Sequence, residues 1–126
     1  LQAMQIDVDV LAFELDLAPL AARALPRAAE LSRFPSVRRD LAVVVPDAVS
    51  WAALARSVRA AVGPLLREVV LFDRYVGAGV EAGCKSLAMG LILQDNTRTL
   101  TDRDVEAVVA DAVAALAREH DARMRG

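Results

Sequence analysis

The stretch Leu71–Leu93, LFDRYVGAGVEAGCKSLAMGLIL, sets two alternating apolar runs on either side of GAGVEAG. Alternation with period two is the signature of a strand, whose successive side chains take opposite faces. The three glycines between the runs supply the unusual dihedrals of a wide turn. Two neighbouring antiparallel strands are therefore expected, from about Glu68 to Val76 and from about Lys85 to Gln94. In the later strand Leu87, Met89, Leu91 and Leu93 form one face, and Ser86, Ala88, Gly90 and Ile92 the other. In the earlier one Asp73 and Tyr75 share a parity with Val69 and Leu71, while Val70 and Phe72 take the opposite side. A side that holds a carboxylate and a phenol suits an uncovered face. Val70 and Phe72 are therefore expected to point at the core.

Upstream, VRRDLAVVVPD has the same period, with Leu41, Val43 and Val45 on one side, Asp40, Ala42 and Val44 on the other, and Pro46 as its end. Ser50 then stands as a helix cap before Trp51, Leu54, Val58 and Val62, which form one stripe that stops at Gly63-Pro64. Downstream, Thr101 and Asp104 resemble a capping box with Asp in the place of Glu. Val105, Val108, Val109, Ala112, Val113 and Leu116 then recur at helical spacing, and HDARMRG has room for a brief last strand. The order strand, helix, strand, strand, helix, strand predicts an α+β, ferredoxin-like βαββαβ sandwich: one antiparallel sheet with both helices on one face. Leu41, Val43, Val45, Val70, Phe72, Leu87, Met89 and Leu91 would face the helices. Ala42, Asp73, Tyr75, Ser86, Ala88 and Gly90 would line the open face.

Ahead of this unit, Leu11, Phe13, Leu15 and Leu17 alternate as in a strand whose partner is not evident within the chain. A connector with Pro26 and Pro35 follows, and a boundary falls near Arg33 to Val37. The 126 residues suit one core plus a short extra segment. One cysteine, Cys84, excludes an internal disulfide, and with His120 as the single histidine there is no Cys/His zinc cluster. The sequence has no leader pattern and no apolar run of about 18 residues, so a reducing cytoplasm is the expected compartment and no membrane role is indicated. A formal net charge of −2 argues against wrapping duplex DNA, which relies on many phosphate contacts. It leaves room for contact with a few unstacked bases.

Two uses suit an open sheet face with an aromatic and a carboxylate among small residues. Unstacked RNA bases are flat guests for such sheets, with Tyr75 as stacking surface, Asp73 as acceptor and Ser86 able to bond in either sense. The alternative is a structural or protein-interaction domain whose face packs on a partner subunit. Catalysis finds little support: Ser86, Lys85 and Asp73 form no recognisable triad, and neither GxxxxGK[ST] nor GxGxxG occurs. Arg38, Arg39 and Asp40 suit a salt-bridged strand start or a phosphate contact.

RFPSVRRDLAVVV, LFDRY, KSLAMGLIL and RTLTDRDVEAVV occur together in that order. The set closely resembles the ferredoxin-fold anticodon-binding domain that ends bacterial phenylalanyl-tRNA synthetase beta chains. The resemblance covers residues 32–126, and leaves 1–31 as the end of a preceding domain, with VLAFELDLAPL as its last strand, and a connector. It implies a cytoplasmic enzyme of two alpha and two beta chains that joins phenylalanine to tRNA(Phe) with ATP and Mg2+. The catalytic centre would lie on the alpha chain, and this segment would be non-catalytic, without a cofactor or metal of its own. The segment would hold the anticodon stem-loop. By the same resemblance Asp73 and Tyr75 contact the first anticodon base, a guanine, and Ser86 and Ala42 join them. Arg123 or Arg125 matches a C-terminal arginine of the family, and Arg39 is the phosphate candidate at the strand start.

Overall fold

The computed structural model describes residues 8, 10–22, 26 and 32–125. The chain divides into two compact units, Leu1–Glu30 and Leu31–Gly126. In the first, the described residues hold one short helix, α1 (Leu17–Ala21), whose N-cap Asp16 accepts from the Ala18 amide at 3.1 Å. The expected strand through Leu11, Phe13 and Leu15 is not formed, and Leu17 opens the helix instead. Alternation alone cannot hold a strand, because its amides and carbonyls need a ladder partner. Residues 1–7 and 9, and residues 23–25 and 27–31 of the expected connector, lie outside the described residues.

The second unit carries β1 (Val37–Pro46), α2 (Trp51–Val62), β2 (Leu66–Tyr75), β3 (Cys84–Leu93), α3 (Asp102–His120) and β4 (Arg123–Met124). The strands form one sheet in the order β2-β3-β1-β4, antiparallel at every pairing. This is the predicted βαββαβ topology. Central β3 is the most buried strand: Leu87, Met89, Leu91 and Leu93 are at most 2% exposed and lie under the helices. Each such side chain contributes about 1.5–3 kcal/mol relative to exposure, enough to fix which face the helices cover.

Leu54, Val58 and Val62 of α2 and Val105, Ala112 and Leu116 of α3 complete the core, and Trp51 packs at its edge. Ser50 Oγ accepts from the Ala53 amide, and Thr101 with Asp104 forms the expected capping box. The two helices are also tied by the buried Ser57 hydroxyl, which donates to Glu119 at 2.6 Å and lies 2.7 Å from His120 Nε2. His120 is the last residue of α3.

One expectation about faces is overturned. The β2–β3 register slips between Leu71 and Asp73: Leu71 pairs with Met89 and Asp73 with Ala88, which leaves Phe72 as an extra residue in a β-bulge. A second slip lies between Leu66 and Glu68. Val69 is therefore buried and Leu71 packs against the core, whereas Val70 sits opposite Gly90 on the open side and Phe72 is 50% exposed. The bulge resets the parity, so that Asp73 and Tyr75 reach the open face although Val69 and Leu71 do not.

Candidate nucleic-acid interface

Two rows cross the open face. Tyr75 of β2 pairs with Ser86, Ser86 with Val44, and Val44 with Arg123. Beside it, Asp73 pairs with Ala88 and Ala88 with Ala42, and the Arg125 amide donates to the Ala42 carbonyl at 2.8 Å. Three strand spacings of about 4.8 Å separate β2 from β4, a gap of roughly 14 Å. Only two long side chains leaning inward can bridge it, and the alanines between leave the room. They do meet: the Arg125 guanidinium carbon lies 4.7 Å from the centroid of the Tyr75 ring, within cation–π range.

Tyr75 is also held from the loop side. Its hydroxyl donates to the Ala78 carbonyl at 3.1 Å, and Gly77, at φ 150°, leaves space that a Cβ would close to 2.8 Å from that hydroxyl. The loop between β2 and β3 continues to β4, where Glu81 accepts from Arg123 at 2.6 Å. This hydrogen bond to Glu81 raises the Arg123 pKa above its ordinary value, so the guanidinium stays charged. Val44, Gly79, Glu81, Arg123, Met124 and Arg125 line a cavity of about 500 Å³ there.

The site residues expected from sequence divide clearly. Ala42, Asp73, Tyr75, Ser86, Arg123 and Arg125 come together on the open face. Ser86 is only 3% exposed, opposite Tyr75 and Val44, so a guest can use its hydroxyl only after a neighbour moves. Arg39 is not brought to this face. It pairs with Leu91, whose side chain is core-facing, and its guanidinium lies 3.7 Å from Asp102 at the start of α3. Arg38 takes the open side, where its Nε lies 2.7 Å from Asp40 Oδ1 and its guanidinium carbon 5.3 Å from the Phe72 ring centroid. Sequence reasoning missed Phe72 because nothing in LFDRY announces the bulge. For Arg38 the signal existed, since it shares parity with Asp40 and Ala42.

The charges explain how such a face would grip a guest. Asp40 faces Arg38 and Glu81 faces Arg123, so two of the three arginines here already have acidic partners. Among the described residues Asp73 forms no ion pair and stands exposed. What the face offers is an arginine-backed aromatic, an acceptor-only carboxylate and a floor of alanines: stacking and donor recognition more than phosphate neutralisation.

With this geometry in place, comparison with known proteins is decisive. The model of the ferredoxin-fold anticodon binding domain matches residues 32–125. The chain belongs to the ferredoxin-fold anticodon-binding domain family. It is 77% identical over 125 residues to a phenylalanine--tRNA ligase beta subunit of Xanthomonas campestris pv. campestris, covering 99% of this chain and 16% of that protein. Beta subunits so named from Xanthomonas euvesicatoria and Xylella fastidiosa are 76% and 63% identical over 124 residues, each covering 98% of this chain and 16% of the relative. The anticodon-binding domain thus occupies most of a chain that spans about one sixth of these relatives, and the likeness extends through its N-terminal residues as well.

Proposed function

We propose that the open sheet face binds the anticodon loop of tRNA(Phe), as the non-catalytic anticodon-binding part of a phenylalanine--tRNA ligase beta subunit. The observation that carries this reading is the Tyr75 ring, backed by Arg125 and pinned by Ala78, beside the exposed Asp73 carboxylate. A base entering the alanine-floored space stacks on Tyr75, and its edge meets Asp73. An ionised carboxylate only accepts hydrogen bonds, so it favours a base with two adjacent donors, the N1–H and amino group of guanine. Ala42 supplies clearance, Ser86 a further polar group once uncovered, and Arg123 and Arg125 positive charge. Arg39 lies on the helix side, where it would meet only RNA that wraps beyond the sheet edge.

In the whole enzyme this contact would support ATP-dependent attachment of phenylalanine in the cytoplasm, alongside an alpha subunit and a second beta subunit. Among the described residues no three His, Cys, Asp or Glu are grouped to share a metal ion. ATP and Mg2+ would serve the catalytic part of the whole enzyme, which the resemblance places on the alpha subunit. Among the described residues no helix is long and apolar enough to cross a membrane. The test is titration of this chain with anticodon stem-loops that carry guanine or adenine at the first anticodon position. Tighter binding of the guanine form supports the reading, and equal binding refutes it.

A further inference from the structure

We propose that Phe72 and Arg38 form a second stacking subsite on the same face, which takes a second unstacked base of the RNA held by Tyr75. This inference rests on the anticodon-loop reading and adds a separate site to it. The alternation of core-facing Val69 and Leu71 with open-side Val70 carries Phe72 onto the open side, where half of it is exposed, and the bulge that follows brings Asp73 to the same side instead of the core. Exposing half a phenylalanine is unfavourable unless something covers the ring, and the structure builds partial cover from two strands away. Arg38 lies on β1, Phe72 on β2, and β3 between them contributes Gly90, where a Cβ would lie 3.0 Å from Arg38 Nη2 and from Asp40 Oδ1. The missing side chain is the corridor by which the guanidinium crosses the sheet. Asp40 holds that guanidinium at 2.7 Å, and it rests 5.3 Å from the ring centroid.

The arrangement repeats the one at Tyr75: an aromatic from β2, an arginine from across the sheet, and small residues between. At 5.3 Å the guanidinium lies near the outer limit of cation–π contact, so a base displaces a weak contact when it stacks on the ring, and Arg38 remains beside it as a cation for base or phosphate. Phe72 and Tyr75 are three residues apart on one strand, roughly 10 Å at 3.3 Å per residue. Neighbouring bases in a helical strand lie about 3.4 Å apart, so two bases on these rings cannot stack on each other, and each needs its own platform. Four-stranded sheets that bind single-stranded RNA commonly stack two or three bases on their aromatics. A protein partner fits less well, because Asp40, held on Arg38, and the adjoining Asp73 put two carboxylates beside this ring, and aspartate is depleted from protein interfaces.

The experiment uses this chain and a series of anticodon stem-loops with one loop base at a time replaced by an abasic residue, titrated against wild type, Phe72→Leu and Tyr75→Ala, with thermal melts of each protein. Wild type is expected to lose affinity at two distinct abasic positions. Tyr75→Ala should become insensitive at one position and Phe72→Leu at the other, each with an affinity loss of about 5- to 150-fold, the range of one stacked base. Leucine keeps an apolar side chain at this exposed position, and Arg38→Gln should reproduce part of the loss without touching the ring. If Phe72→Leu and Arg38→Gln bind every RNA as wild type does while Tyr75→Ala is impaired, the second subsite is overturned and the anticodon-loop reading stands. If no abasic position matters even to wild type, both fall together.

Discussion

Gly77→Ala tests whether the place of Tyr75, and not merely its presence, gives the face its use. The substitution acts twice. At φ 150° the residue occupies backbone space that side chains rarely enter, which costs about 1–3 kcal/mol of stability. The new methyl would also lie 2.8 Å from the Tyr75 hydroxyl and 3.1 Å from its Cζ. The ring is the far end of a rotatable side chain, so it yields, breaking the bond to the Ala78 carbonyl and leaving Arg125. Gly83→Ala separates the two effects: Gly83 is at φ 78°, but a Cβ there meets nothing within 4 Å. Both variants should melt earlier than wild type by comparable amounts. Only Gly77→Ala should lose RNA affinity, by up to the stacking contribution of about 1–3 kcal/mol. Tyr75 is the single tyrosine of the chain, so its ring resonances report the displacement directly. Unmoved resonances in Gly77→Ala, or an equal affinity loss in Gly83→Ala, would refute the reasoning.

Two further outcomes follow from the charges. Hydrogen bonds from Arg98 and then Thr101 hold the Asp104 carboxyl well below its ordinary value of 3.8, so the ionised form stabilises the folded state. That stability is fully present above pH 3.8 and is lost as the pH falls below it toward the lowered folded value; Asp104→Asn should flatten this acid limb in melts, and Thr101→Ala should cost about 1 kcal/mol at neutral pH. Glu81→Gln should release Arg123 from its carboxylate and tighten RNA binding. If that arginine then meets a phosphate, the plot of log affinity against log salt steepens by about 0.7, the single-strand value for one added contact; unchanged affinity and slope would exclude Arg123 from the RNA.

Most of the fold was legible because its signals are local and mutually consistent. The β3 alternation, the Ser50 and Thr101 caps and the stripe through Leu54, Val58 and Val62 each specify one element, and burial ratifies all of them. The failures have one physical source, pairing that the sequence does not encode locally. The bulge at Phe72 is a property of how β2 meets β3, and it moved Val69, Val70, Leu71 and Phe72 to faces opposite to those that strict alternation assigns. The run through Leu11, Phe13 and Leu15 has strand periodicity, yet it forms no strand. At the site, Asp73 and Tyr75 were legible by parity only because the bulge falls before both. Which C-terminal arginine faces the tyrosine required the β4 register, which places Arg125 across from it and Arg123 against Glu81.

The central claim, that this face selects an unstacked guanine through Asp73 while Tyr75 supplies the stacking surface, is tested most directly by two unlike substitutions in one titration. Wild type, Tyr75→Ala and Asp73→Asn are measured against anticodon stem-loops with guanine or adenine at the first anticodon position, with melts as the control for folding. Tyr75→Ala should weaken both RNAs by about 1–3 kcal/mol, because every base presents a π-face. Asp73→Asn should narrow the difference between guanine and adenine, because an amide offers one acceptor atom where the carboxylate offers two. Asp73 is exposed, so Asp73→Asn should change stability by no more than about 0.5 kcal/mol, whereas Tyr75→Ala gives up the Arg125 contact and the Ala78 hydrogen bond and should melt earlier, by about 1–2 kcal/mol, while still folding. An Asp73→Asn variant that folds and discriminates guanine from adenine as sharply as wild type would contradict the account.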